Sequence, residues 1–281
     1  MRDDVPAADA QRRAVLTGTL YAAAAGLMWG LVFIAPTLLA DYPAALLVVG
    51  RYLAFGLIAL PLAWFWVRGT IPQGYQPRLL ALLALGGLQG AIGWWMVTSG
   101  LFAGVAVSHY RLAIHLCLAL FILAGLVWTA RDLRALATNA SARPARLTGF
   151  AVLFVQIVYG AWVAGMDAGK VTQAWPMMGS TFLPIGVDWS QGVLHAFTSD
   201  PYLLHFIHRW WAWVALAALI VFAAKVKRSG ARTASLAVHA LLGTQIALGI
   251  ATVMTGVNIV LATAHQGVGA LLVASVAWGA H

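Results

Sequence analysis

The sequence predicts an all-α integral membrane protein with eight transmembrane helices in two pseudo-symmetric four-helix bundles. Three observations predict it. The 281-residue chain is 62% hydrophobic and 9% charged, whereas a soluble domain carries roughly 25% charged residues. It holds eight apolar stretches, each able to supply the roughly 20 helical residues that cross a bilayer. Thirteen of its seventeen basic residues fall in the N-terminal tail or in alternate loops.

In chain order, a polar tail over 1–15 precedes spans at about 16–39, 44–67, 79–102 and 108–129, the N-terminal bundle. A loop over 130–146 leads to spans at about 147–165, 203–224, 234–255 and 258–280, so that 147–281 form the C-terminal bundle. Helices are expected because the backbone must satisfy its own hydrogen bonds in hydrocarbon. The stretch after the tail is too long for a removed signal peptide and lacks a small-residue cleavage site.

The net charge is +9, but its placement excludes a nucleic-acid partner. Arg2, Arg12, Arg13, Arg68, Arg78, Arg131, Arg134, Arg143, Arg146, Lys225, Lys227, Arg228 and Arg232 fall in the tail or in every second loop. Positive residues accumulate on the cytoplasmic side of membrane proteins, which puts both termini there. On the other side only Lys170 is free of a helix. The lone cysteine, Cys117, permits no internal disulfide and is expected to pack within its span.

The two-bundle expectation comes from a repeat. Gly87, Gln89, Ala91, Gly93, Val97 and Gly100 of the third span recur at one fixed offset as Gly243, Gln245, Ala247, Gly249, Val253 and Gly256 of the seventh. Small residues four apart let helices approach closely, and a glutamine in hydrocarbon needs a partner across that contact. A packing pattern used twice implies two related bundles. The fourth span then mirrors the eighth. By depth His115 takes the place of His265, whereas the strict offset selects His109. The second span should mirror the sixth, where His208 lies, yet no histidine precedes His109.

His208 and His265 enter their spans from the same side, at heights that differ by only about 3 Å at the rise of an α-helix. A histidine within the membrane is costly unless something binds it. Two at matching depth suggest one shared ligand, and haem iron is the obvious one for paired neutral imidazoles in a helical bundle. The alternative is two unrelated histidines hydrogen-bonded in the core. Arg209 follows His208, and Arg111 precedes His115 by one turn. Each cation can meet a haem propionate or snorkel to head groups. The chain has no glutamate, and among its aspartates only Asp167 lies close to a candidate site, so the acidic participant in any proton-coupled chemistry is Asp167, a histidine, or absent. The loop over about 166–202, with Trp175-Pro176, suits either a lid over the C-terminal bundle or an interfacial anchor. His109, His195, His205, His239 and His281 are read as loop, interfacial or packing residues.

Several stretches carry a resemblance: 85–97, Tyr110 to Leu116 with His115, Ala164 to Gly169 with Asp167, Trp175 to Met178, Phe206 to Arg209, and His265-Gln266. From about Ala59 onward the chain resembles heme A synthase, a membrane enzyme of cytochrome oxidase assembly. The resemblance implies a multi-pass protein of a bacterial-type inner membrane with haem b, and so iron, held by His208 and His265. It also implies a haem substrate, heme O, whose methyl group is oxidised to the formyl of heme A beside His115. The partners it implies are the lipid bilayer and cytochrome oxidase assembly factors, with self-association left open. Residues 16–58 instead resemble the opening helices of an EamA-type drug/metabolite transporter, through Gly26 to Phe33, Pro36, Tyr42-Pro43 and Gly50 to Phe55. They stand where heme A synthases carry a glutamate and a histidine, so weak turnover is expected. The alternatives are a non-catalytic haem-b-binding membrane protein and, further off, a transporter fragment.

Overall fold

A computed structural model describes residue 60 and residues 62–103, 106–137 and 147–281. It divides into two units, 1–75 and 76–281. Within the first, residues 62–67 are helical, and the Arg68 guanidinium lies over the Trp64 ring at 4.2 Å. The span expected at 16–39, most of that at 44–67 and the transporter-like stretch lie outside the described residues.

The second unit is helical throughout apart from its connections. Its elements are α1 (Gln76–Ala103), α2 (His109–Ala137), α3 (Thr148–Gly165), a 3₁₀ turn (Ala168–Lys170), α4 (Val193–Ser199), α5 (Pro201–Arg228), α6 (Arg232–Met254) and α7 (Ile259–Ala280). All but α4 and the 3₁₀ turn are long and apolar enough to cross a membrane, six spans among the described residues. The protein is therefore an all-α, multi-pass integral membrane protein.

Two boundaries differ from the expected ones. Helix α2 runs on to Ala137, eight residues past 129, so part of the expected loop at 130–146 is helix. Polar partners hold that extension: Asp132 accepts hydrogen bonds from Arg78 of α1 and from His281 after α7, the latter at 2.7 Å. Helix α5 starts at Pro201. Its N-cap Asp200 accepts from Leu203 N at 2.8 Å, and proline at the first position gives up no needed donor. Asn258 caps α7 in the same way, accepting from the main-chain nitrogens of Val260 and Leu261.

Helices α3, α5, α6 and α7 form a bundle in which α3 packs on α5, α5 on α6, and α6 on α7. Helix α2 packs on the outside of this group against α3 and α7, and α1 packs on α2. The buried core, built from Leu153, Leu219, Phe222, Val226, Val238, Leu242, Leu272 and Val276, fills the bundle half nearer the basic ends of α5 and α6. His208 and His265 stand in the other half.

Candidate functional site

His208 lies seven residues into α5, and His265 and His115 each lie six residues into their helices. The rings of His208 and His265 face each other across the bundle, with centroids 6.5 Å apart and planes at 82°. A metal ion sits about 2 Å from an imidazole nitrogen. Two such bonds, with about 1 Å more to each ring centre, add to roughly 6 Å. The observed separation therefore matches two imidazoles on one metal ion.

The tautomer of His265 fits as well. Its Nδ1 donates to the main-chain oxygen of Gln245 at 3.0 Å, so the lone pair is left on Nε2. A second-nitrogen bond of this kind orients most metal-bound histidines. Glycine makes the room. A Cβ on Gly160 would come within 2.9 Å of His208 Cε1, and one on Gly249 within 3.0 Å of His265 Cε1. Each ring rests on bare helix backbone.

The same contact recurs at His115. A Cβ on Gly93 would meet His115 Cε1 at 2.9 Å, and Gln89 Nε2 lies 3.3 Å from His115 Nε2 and 3.0 Å from its main-chain oxygen. Gln245 Nε2 lies 3.3 Å from His265 Nε2. Gln156 Nε2 lies 3.2 and 3.4 Å from the two ring nitrogens of His208 and donates to its main-chain oxygen at 3.2 Å. Each histidine thus meets a glutamine and, four residues on, a glycine of the neighbouring helix. Depth, and not the strict repeat offset, identifies the residue in the position of His265: from Gln89 to His115 the chain is six residues longer than from Gln245 to His265. His109 instead bonds the main-chain oxygen of Thr198 at 3.0 Å through its Nε2.

The remaining candidates separate. Arg209 is 5% exposed. Its Nη1 donates to the main-chain oxygens of Ala174 and Met177 and its Nε to His205 Nε2, while Nη2 is buried with no partner among the described residues. Arg111 donates to Trp95 O at 2.7 Å, lies over the Trp95 ring, and lines an open cavity of about 660 Å³ with Thr98, Ser99 and Ser108. Asp167 is exposed, in the left-handed region at φ 53°, and ion-paired at 2.7 Å with Lys170, which lies within the 3₁₀ turn. Gln156 and His205 were not among the sequence candidates. The spacing Gln-x₃-Gly, shared by Gln89, Gln156 and Gln245, is the signal that would have found the first.

Residues 48–277 match the family described as Cytochrome oxidase assembly protein, COX15-CtaA. The match begins eleven residues before Ala59. A protein named Heme A synthase from Erythrobacter litoralis is 55% identical over 240 residues, 83% of this chain and 70% of that protein. Those from Sphingopyxis alaskensis and Novosphingobium aromaticivorans are 53% and 52% identical, each over 83% of this chain and over 67% and 70% of their own lengths. No solved structure matches the chain.

Proposed function

The chain belongs to the COX15-CtaA family of cytochrome oxidase assembly proteins, and from that membership we propose that it is a heme A synthase. The facing pair His208 and His265, in a chain 55% identical over 240 residues to a protein of that name, carries the reading. In it the pair holds haem b, which supplies one-electron redox chemistry when bound. The basic end of the bundle faces the cytoplasm of a bacterial-type inner membrane.

The chain's own residues have these roles. Gln245 keeps the proton of His265 on Nδ1, so Nε2 is the metal-binding atom. Gly160 and Gly249 let both rings stand at the required separation. Arg209 offers its buried Nη2 to a haem carboxylate, a charge-assisted bond favoured in a site shielded from water. His115 takes the iron of the substrate, heme O, whose methyl group becomes the formyl of heme A. Arg111, above it, receives a substrate carboxylate. Asp167, exposed and paired with Lys170, is the acid assigned to the proton-coupled chemistry.

One sequence observation favours a second reading, a haem-b-binding protein without turnover: no histidine precedes His109 and the chain has no glutamate. Rigid placement of both reactants is worth orders of magnitude in rate, so turnover is expected to be weak. The test is extraction of haems from a host that makes heme O, lacks its own synthase and expresses this chain. Heme A at a fraction of the level given by a relative supports the enzyme. Bound haem b with no heme A supports the second reading.

A further inference from the structure

Among the described residues His205 is the largest fully buried polar side chain, at 2% exposed. It stands one helical turn before Arg209, whose Nε lies 2.9 Å from His205 Nε2. Arginine has no acceptor and keeps its proton, so His205 must accept, as a neutral ring protonated on Nδ1. Burying such a ring has no use in packing that a leucine would not serve better. Its chemical yield is an oriented guanidinium.

The orientation reaches further than the pair. Arg209 Nη1 donates to Ala174 O at 3.0 Å and Met177 O at 3.1 Å, and the Trp175 ring between them lies 5.6 Å from the guanidinium carbon. Trp175 stacks on Trp210, with centroids 6.3 Å apart and planes at 16°. With Nε and Nη1 engaged, the rigid planar fork leaves Nη2 a single direction. Nη2 is one of the buried nitrogens without a hydrogen-bond partner among the described residues.

We propose that His205 is a positioning residue for the haem site: it sets the plane of Arg209, so that one side chain both fastens residues 174–177 over α5 and presents Nη2 to a carboxylate of the bound haem. The proposal rests on the haem reading above. It makes closure of the segment and capture of the carboxylate one event, because both depend on the same plane. An acceptor at position 205 is required, while the imidazole itself is not.

The experiment compares the purified full chain with His205→Gln, which keeps an acceptor, and His205→Met, which fills similar space with only a weak one. The readouts are the haem reduction potential, the rate of haem transfer to apomyoglobin, and the rate of protease cleavage between residues 174 and 191 in haem-stripped protein. His205→Met is expected to lower the potential and to speed haem loss and cleavage by about fivefold, with His205→Gln within about twofold of the parent. The axial-ligand spectrum should be unchanged in both. Parent-like behaviour of His205→Met overturns the proposal, and so does equal damage in both variants. If His205→Met cannot be recovered, Arg209→Lys, which keeps the cation but not the fork, must show the same changes, and its failure to do so also overturns it. Absence of haem from the parent protein would defeat the haem reading, while the cleavage rates would still judge the link from His205 to the segment.

Discussion

Gly160 lies so close beneath His208 that a Cβ there would come within 2.9 Å of the ring. The absence of one side chain on α3 therefore sets where the imidazole of α5 can stand. Gly249 does the same for His265 from α6.

Gly160→Ala and Gly249→Ala should each displace a ring and destabilise by about 1–3 kcal/mol, the usual cost of overpacking. Both should weaken or shift the haem spectrum. Gly243→Ala is the control, since nothing lies within 4 Å of a Cβ there, and alanine should be neutral or up to about 1 kcal/mol stabilising in a helix. Thermal unfolding in detergent checks all three.

The glutamines should differ in weight. Gln156 ties α3 to the main-chain oxygen of His208, whereas His265 keeps its bond to the main chain of Gln245 whatever side chain stands there. Gln156→Leu should therefore cost about 1 kcal/mol, typical of a polar contact within a membrane bundle, and speed haem loss more than Gln245→Leu. Equal effects would show that the main-chain bond of His265 carries no weight.

Asp132 ties the start of α1 and the end of α7 to the end of α2 through Arg78 and His281. Asp132→Ala should lower stability by about 1 kcal/mol or less, with the difference shrinking in high salt, because these side chains are partly exposed. Salt titration of the melting temperature checks it.

Much of this arrangement was legible in the chain. Apolar length located the six described spans, since a bilayer fixes helix length independently of packing. Helical rise alone put His208 and His265 at one height. The position of His115 was ambiguous because a longer connection before α2 breaks the offset of the repeat. His205 was not legible: in sequence, a histidine near the end of a span reads the same whether it lies at the interface or accepts a bond in the core. Nor was the extension of α2 to Ala137, because Asp132 finds its partners on α1 and after α7.

Topology is open to a direct check. With Cys117 replaced, a cysteine at Ser141 should react from the cytoplasmic side and one at Ser190 only from the opposite side, as the basic residues dictate. Labelling of both from one side would overturn the orientation.

The most direct measurement is the absorption spectrum of the purified full chain, in the oxidised and reduced states, beside His208→Ala and His265→Ala. Two imidazoles on one iron predict a low-spin haem in the parent chain, lost or turned high-spin by either substitution. An unchanged low-spin spectrum in both variants would contradict the assignment of this pair as the haem ligands.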